Sequence, residues 1–480
     1  MKQKRKVKKI PFTMVLILLI LVFVVIPFTI LKITEDGQYY VEDLSTSEVQ
    51  ASYKHYIFAS FKMDTIDSKY VCIKDENGKI LRLQSGIVNL KTKDITENTE
   101  YTTDTDETGY VNGNYGADAQ YLGTSFNGKE VHFKISGVQA WTDINNVELC
   151  FYNDSYTLST YSVYNSSLIH TISTDIVHGG VNSISIGPAP KFLKKDTIYY
   201  SYDGHYFYSS FKDLIEDKKI NEEPYYNYYQ YAPHRTTSYL NNIVYNDFLS
   251  EYGINKTAET YPCMDNESVL YNQANVFLTT QKNYSINASM MFVLALNESG
   301  FGQSQYAIEY NNLFGHAAID ENPDNANLYN SLADCIQQHA YNYLQKGYLN
   351  PEDSRYHGSW FGDKASGINV DYASDPYWGE KAASFYYRLD KNSIDKEKNP
   401  IRTVQLSKDL KVYAPNKKDV LYSYKKGNII SIHILKDEHG YYKISSEAPV
   451  KKNHLEIDSK YKNSYAYIKK GLTSNLVTLL

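Results

Sequence analysis

The segment LALNESGFGQS, from Leu294 to Ser304, places one carboxylate, Glu298, where an apolar run gives way to glycines. Burial and the negative end of a helix dipole both disfavour the charged form of a carboxylate, so both raise its pKa. A raised carboxyl pKa is what a general acid needs near neutral pH. Gly300 and Gly302 allow a sharp turn and leave space in front of the acid. Position alone leaves open a second interpretation, an acid that points to solvent from a helix end.

Helices must position this acid. The run ASMMFVLALN is apolar nearly all round, which predicts a buried central helix, and Asn287 is suited to cap its start. Capping signals predict further helices within residues 264–392: Asn266, the S-x-x-D box of Ser331 and Asp334, and the N-cap and N1 pair Asp375-Pro376.

Two more motifs follow the acid in chain order, NNLFG at Asn311 to Gly315 and YASDPYW at Tyr372 to Trp378. Together with ESGFG they resemble the endo-β-N-acetylglucosaminidases of glycoside hydrolase family 73, lysozyme-superfamily enzymes that cleave peptidoglycan glycan strands. The stretch FGHAAIDENP also looks like the FG-x-x-A-x-D-x-x-P variant of the autolysin branch. The resemblance covers about residues 264–392 and implies a mainly α, lysozyme-like catalytic domain.

Residue by residue, the resemblance implies that Glu298 is the catalytic general acid and that Tyr372 lines the cleft. It also implies that the floor of the cleft is shaped by Asn311, Phe314 and Gly315. Phe301 stands where the family often has tryptophan, a departure that keeps an aromatic ring at a predicted substrate contact.

A second carboxylate is expected because glycosidases commonly use two acids. The candidates are Asp320, Glu321 and Asp324, in a polar loop after NNLFGHAA. In the lysozyme superfamily this region forms the lobe that faces the acid. An ordinary hydrophilic loop is the competing interpretation for each residue, and a substrate 2-acetamido group could instead be the nucleophile.

Further substrate contacts are predicted around the third motif, since aromatic rings stack on sugar faces. The candidates are Trp360, Asp375, Tyr377 and Trp378. A place in the core remains open for each aromatic residue.

No metal or other cofactor is expected, because His316, His339 and His357 do not have the spacing of a zinc motif. Cys335 precedes His339 by one helical turn, so a Cys/His nucleophile pair is conceivable. A buried thiol beside a histidine at the edge of the core is the alternative. The four cysteines are scattered and do not suggest a disulfide framework.

The N-terminus combines a basic flank, residues 1–9, with an uncharged apolar run from Ile10 to Leu31. About 20 apolar residues span a bilayer as a helix, and a basic flank stays cytoplasmic. We therefore predict an uncleaved transmembrane anchor at residues 10–31. The protein would be a single-pass protein of the cell membrane, with its N-terminus inside and its catalytic domain outside.

Charge narrows the choice of partners. Six of the 49 basic residues lie in the flank, so the remaining 43 oppose 55 acidic residues and give a net charge of −12. An acidic ectodomain argues against nucleic acid as a partner and against electrostatic adhesion to an anionic wall polymer.

The rest of the chain predicts a multidomain α+β protein. Residues 34–210 have strand patterns, residues 211–263 form a helical, Tyr-rich connector, and residues 401–480 have the rhythm of a small β-barrel. The tail is similar to bacterial SH3-like modules, which often bind wall peptides; a docking or spacer role is the alternative.

These features favour a membrane-anchored peptidoglycan hydrolase that cleaves the GlcNAc-β-1,4-MurNAc bond, for wall remodelling or autolysis. A muramidase or lytic transglycosylase on the same fold is one alternative. A non-catalytic wall-binding scaffold is another.

Overall fold

The computed structural model describes residues 38–316, 327–391, 399–448, 464–470 and 477–478. The predicted cytoplasmic flank and anchor lie outside these residues. Within the described ranges, no helix has both the length and the apolar character needed to cross a bilayer. The described residues divide into two compact units: the first comprises those up to 89 with 120–133 and 141–153, and the second comprises 90–119, 134–140 and those from 154 onward.

The first unit contains a four-stranded antiparallel sheet and one helix. In spatial order the strands are Glu48–Tyr53, Tyr39–Asp43, Val71–Asp75 and Ile80–Leu83. The helix Tyr56–Met63 buries Ala59 and Met63. The strands Ile87–Asn89 and Glu148–Cys150 also pair antiparallel, and a short 3-10 helix spans Ile144–Asn146.

Three further strands each divide their residues between the two units: Asp118–Thr124, Glu130–Ile135 and Val138–Asp143. In the second of these, Val131, Phe133 and Ile135 are buried and alternate with less buried residues. This alternation gives the strand one buried face.

The second unit begins with β structure. A hairpin pairs Thr99–Thr103 with Thr108–Val111. A four-stranded antiparallel sheet follows, in the spatial order Gly180–Pro188, Ser167–Asp175, Thr160–Tyr164 and Ile198–Tyr199. The predicted helical connector then contains the helices Phe211–Ile215, Tyr228–Tyr231 and Asn242–Ser250.

Helices surround the central helix Ala288–Glu298, whose residues from Ala288 to Leu296 are all buried. Phe292 shows why this helix must be apolar on every side: its ring packs edge-on against Tyr245 at 4.8 Å and Phe277 at 5.4 Å between centroids. The remaining helices are Ala274–Tyr284, Gln305–Glu309, Leu332–Gln338, Asn369–Tyr372 and Trp378–Lys391. A buried central helix is thus confirmed.

The caps agree with the sequence in part. Asn287 Oδ1 accepts from the backbone N–H groups of Ser289 and Met290, as predicted. Ser331 Oγ accepts from the N–H of Asp334, which confirms half of the predicted box; Asp334 instead accepts from the N–H of Asn330.

Three helix predictions need correction. Asn266 is not an N-cap: the next helix begins at Ala274 after Gln273, because Ser268 Oγ accepts from Leu270 N and holds a turn there. The helix predicted from Asp375-Pro376 begins only at Trp378, since Asp375 Oδ1 accepts from Tyr377 N in a preceding turn. The helix after Ser331 turns from α to the wider π form at His339–Tyr348.

The C-terminal region is a sheet of seven strands within the described residues. In spatial order they are Val420–Tyr424, Leu410–Tyr413, Tyr465–Lys469, Tyr441–Ser445, Ile429–Glu438, Ile401–Gln405 and Val477–Thr478. The ten-residue strand Ile429–Glu438 pairs with one neighbour near its start and another near its end, and the order does not close on itself. The prediction of a β-rich tail is confirmed, but the described strands form an open sheet instead of a closed small barrel.

The second compact unit spans positions 210, 263 and 401, where the sequence predicts domain boundaries, and those boundaries stay predictions. Aromatic side chains explain this continuity. Tyr226, Tyr231 and Trp360 share one buried cluster with Val412 and Ile432 of the C-terminal sheet.

Candidate active site

Glu298 is the last residue of the central helix. The chain then turns sharply because Gly300, Phe301 and Gly302 all adopt left-handed backbone conformations, with φ of +54°, +60° and +73°. A side chain at Gly302 would meet Ser268 Oγ at 2.6 Å, so only glycine fits there. The predicted turn after the acid is confirmed.

Two N–H donors approach one oxygen of the Glu298 carboxyl group. Trp378 Nε1 donates to Oε1 at 2.9 Å, and Asn297 Nδ2 donates to the same oxygen at 3.1 Å. Among the described residues, none donates to Oε2, which is not sealed from solvent either. Since an occupied acceptor oxygen is the poorer place for a proton, Oε2 is the oxygen that carries it when the group is neutral.

Burial raises the pKa of Glu298 above the ordinary glutamate value, and the negative charge of Asp375 raises it further. The hydrogen bonds from Trp378 and Asn297 act in the opposite direction, because they stabilise the carboxylate. Burial is the largest of these effects. The electrostatics therefore favour a protonated acid at higher pH than an exposed glutamate would allow.

Tyr372 lies beside this acid. Its ring packs on Trp378 at 4.6 Å between centroids and on Tyr348 at 5.4 Å. Burial and the nearby charge of Glu298 hold the pKa of Tyr372 well above its usual value, so its hydroxyl remains a neutral donor. The structure thus brings Glu298, Tyr372 and Trp378 together from two distant motifs.

Asp375 contributes charge and local structure. Its Oδ2 pairs with Lys381 Nζ, and its Oδ1 accepts from Tyr377 N at 2.9 Å. The carboxylate is partly buried and influences Glu298 through its charge. A role in holding the turn before Trp378 is therefore visible, whereas the predicted contact with substrate stays a prediction.

The NNLFG motif is a turn held by amide side chains. Asn311 has a left-handed backbone, with φ of +53°, and its Nδ2 donates to Tyr329 O at 3.0 Å. Asn312 is buried; it accepts from His316 N and donates to His316 O. Gly315 is also left-handed, with φ of +63°. These contacts give the residues of the motif a structural role in holding this turn.

Rings from this loop stack on the π-helical segment. Phe314 lies parallel to His339 at 3.6 Å, and His316 lies parallel to Tyr343 at 3.7 Å. His316 Nε2 is 3.1 Å from His339 Nδ1, so the two rings share one proton between facing nitrogens. Burial lowers the pKa of His316 to about 3 and that of His339 well below its usual value. Both rings are neutral and structural.

Three predicted substrate contacts lie in packed surroundings. Trp360 is 0% exposed, in the cluster shared with the C-terminal sheet, so its ring is a core residue and we remove it from the predicted contacts. Tyr377 is also buried and packs edge-on against His170 at 4.7 Å. Phe301 packs on Tyr252 and Phe385. Aromatic enrichment around the third motif thus reflects packing as much as binding.

The candidate second carboxylates, Asp320, Glu321 and Asp324, lie outside the described residues. Within those ranges no cluster of histidine, cysteine, aspartate or glutamate is suited to hold a metal ion.

The Cys/His nucleophile pair is not formed. Cys335 is buried, and its Sγ accepts from Leu313 N at 3.4 Å while His339 stacks on Phe314. Burial raises the pKa of the Cys335 thiol to about 12, so it is not a thiolate near neutral pH. None of the four cysteines, all of which are among the described residues, is in a disulfide.

Sequence reasoning did not single out Asn297, Asn312 or Lys364. Lys364 is 1% exposed, and its Nζ donates to the carbonyl oxygens of Asn369, Val370 and Ala373 around the end of the helix that carries Tyr372. Asn297 and Asn312 neighbour motif residues directly, which was an available signal. Lys364 offered none, because a lone lysine is expected at the surface.

The region that carries this site is similar in sequence to known proteins. Residues 274–391 match the family model described as mannosyl-glycoprotein endo-beta-N-acetylglucosaminidase. Proteins from Streptococcus pneumoniae serotype 4 and from S. pneumoniae strain R6, both provisionally named endo-beta-N-acetylglucosaminidases, are 35% identical over 126 residues. That is 26% of this chain, and it spans only 18% and 17% of those two relatives.

Solved structures of Staphylococcus aureus autolysin E also match. A catalytic mutant bound to the disaccharide NAG-NAM is 19% identical, with a TM-score of 0.27 over 38% of this chain and 80% of that one. A second autolysin E structure is 21% identical, with a TM-score of 0.24 over the same shares of the two chains. Scores this low support no structural inference.

Proposed function

We propose that this protein, whose residues 274–391 match the endo-beta-N-acetylglucosaminidase family model, is a membrane-anchored endo-β-N-acetylglucosaminidase. Its substrate would be the glycan strands of peptidoglycan, cut at the GlcNAc-β-1,4-MurNAc bond for wall remodelling or autolysis. The observation that carries the proposal is the environment of Glu298: a carboxyl group with a raised pKa, two donors on one oxygen and no donor among the described residues on the other.

In this proposal Glu298 Oε2 donates its proton to the glycosidic oxygen while the sugar on the GlcNAc side gains oxocarbenium character. Trp378 and Asn297 then stabilise the carboxylate that forms, because hydrogen bonds to a charged acceptor are stronger than those to a neutral one. Tyr372 contributes a neutral hydroxyl at the same place. The donors that lower the pKa of the acid thus favour its charged state after transfer.

The partner of Glu298 is left open between two routes. One of Asp320, Glu321 and Asp324 could activate water, or the 2-acetamido group of the substrate could act as the neighbouring nucleophile. Both routes need the same acid, so the assignment of Glu298 does not depend on the choice.

Membrane attachment is supported by the sequence alone, through the basic flank and the uncharged run from Ile10 to Leu31. A tethered enzyme reaches only glycan near the membrane, so it would trim new strands. Wall-peptide contact by the C-terminal region is a further part of the proposal, supported only by the short SH3-like similarity of that segment.

The decisive test compares the purified ectodomain with its Glu298→Gln variant on isolated sacculi. General acid catalysis contributes on the order of 10²–10⁴-fold, so the variant should lose that much activity. Glu309→Gln, at an exposed glutamate eleven residues later, is the matched control and should retain the full rate.

Mass spectrometry of the products separates the alternatives. GlcNAc at the new reducing end supports the proposal, whereas MurNAc or anhydro-MurNAc there assigns the protein to the muramidases or lytic transglycosylases. Inactivity of both the wild type and the variant would favour a wall-binding scaffold. Equal activity in both would remove Glu298 from the mechanism.

A further inference from the structure

Residues 371–378, here called the site loop, carry Tyr372, Asp375 and Trp378 on a backbone that is largely outside regular helix. Such a backbone leaves carbonyl groups that must find partners elsewhere. Several of these partners are Tyr110, Asn112 and Ser136, which lie far from the loop in the sequence.

Each donor contacts a different carbonyl of the site loop. Tyr110 Oη donates to Asp371 O at 3.2 Å, the backbone N–H of Asn112 donates to Ser374 O at 2.8 Å, and Ser136 Oγ donates to Pro376 O at 2.6 Å. These carbonyls alternate with the predicted site residues. Residues 371, 374 and 376 of the loop are therefore attached to these β-rich segments, and Pro376 O also accepts from Asn369 Nδ2 at 3.1 Å.

The fit is also steric. At Gly116, a side chain would meet the rings of Tyr377 and Pro376 at 2.7 and 2.8 Å, so the backbone of this segment lies directly against the site loop. Ser136 has a left-handed backbone, with φ of +44°, which is a strained conformation for a serine. The conformation belongs to the two-residue turn, Ser136 and Gly137, that connects Glu130–Ile135 to Val138–Asp143 and has positive φ at both positions. That turn brings Ser136 Oγ to Pro376 O.

We propose that Tyr110, Asn112 and Ser136 are positioning residues of the active site: they hold the site loop so that Trp378 and Tyr372 stay aligned on Glu298. Part of the β-rich region is then a component of the catalytic scaffold and not a separate wall-binding module. The inference rests on the proposed function for its effect on rate, but the contact itself can be tested without any substrate.

A double variant, Tyr110→Phe with Ser136→Ala, removes two hydroxyl donors and keeps both side-chain shapes. Tyr164→Phe with Ser183→Ala is the matched control, at exposed residues of the four-stranded sheet in the same unit. Hydrogen exchange of the full ectodomain, followed by mass spectrometry, should become faster in residues 371–378 of the first variant. It should stay unchanged in Ala288–Glu298 and in the control.

On soluble glycan strands the double variant should lose about 10-fold or more in kcat with KM within about twofold, because small displacements of catalytic groups cost rate more than binding. The alkaline limb of its pH–rate profile should move to higher pH, because the hydrogen bond from Trp378 to Glu298 weakens. A purely structural role would lower the melting temperature without this combination.

The Ser136→Gly variant controls for misfolding as an explanation of lost activity. Glycine lacks the hydroxyl, but it adopts the left-handed backbone without strain. A loss of rate in this variant at an unchanged melting temperature supports positioning. Unchanged exchange in the site loop, or kinetics equal to the control, would overturn the inference. Faster exchange in a protein whose wild type does not cleave glycan would leave the contact standing and reject the proposed function.

Discussion

Trp378 Nε1 donates to Glu298 Oε1 at 2.9 Å across 80 residues of sequence. The bond joins the first residue of one helix to the last residue of another. It ties the conformation of the site loop to the acidity of the central carboxyl group. Several predictions about pH dependence come from this one contact.

Replacing Trp378 by phenylalanine should move the alkaline limb of kcat/KM to higher pH. The indole N–H stabilises the charged carboxylate, so its loss raises the pKa of Glu298 and keeps the acid protonated longer. A hydrogen bond to a charged group is worth about 1.5–3 kcal/mol, which corresponds to a shift of about one pH unit or more. Trp141→Phe, in the first unit, is the control. A limb that stays in place would show that the bond is weak in solution.

Replacing Asp375 by asparagine should move the same limb in the opposite direction. The charge of Asp375 raises the pKa of Glu298, so a neutral amide lowers it and the acid deprotonates at lower pH. Lys381→Met is the companion variant. It removes the ion-pair partner of Asp375 but keeps the negative charge of Asp375, so it should not move the alkaline limb to lower pH. If both variants shifted the limb downward, disruption of the turn would explain the result better than charge.

Glu298→Gln should make the protein more resistant to heat at pH 7 while it abolishes most activity. A carboxyl group with a raised folded-state pKa destabilises the fold once pH exceeds its ordinary value of about 4.3, because the fold then holds a charge that it disfavours. The gain should shrink as pH falls toward that value and vanish below it. Thermal melts of both forms between pH 4 and pH 8 measure it, and a parallel offset at every pH would contradict the argument.

Asn311 should matter through its backbone and its amide, not through affinity for glycan. Asn311→Gly keeps the left-handed conformation and loses the bond to Tyr329 O, whereas Asn311→Ala loses the bond and adds about 1 kcal/mol of backbone strain. Chemical denaturation should give a larger free energy of unfolding for Asn311→Gly than for Asn311→Ala, and the KM of the two folded variants should be similar. A large rise in KM for both, at full stability, would instead support direct contact with substrate.

The fold could be predicted best where a pattern is local. The apolar run before Glu298 predicted a buried helix, and Asn287 predicted where that helix begins. Both signals lie within a few residues of the helix that they define. The start of the helix at Trp378 was predicted too early because Asp375 caps a turn instead. The π-helical turn at His339 had no local signal, since it accommodates the stack of Phe314 and His316.

For the site, the sequence by itself pointed to Glu298: this carboxylate ends an apolar run and is followed by glycines, and the resemblance of three motifs in order made it the predicted general acid. The tertiary structure decided everything that depends on long-range contact. It placed Trp378 on Glu298, buried Trp360 away from it, and attached the site loop to Tyr110 and Ser136. These relationships join residues from 80 to 261 positions apart. Hydrogen bonds and ring contacts at such separations leave no periodicity in a single sequence, so only the folded chain reveals them.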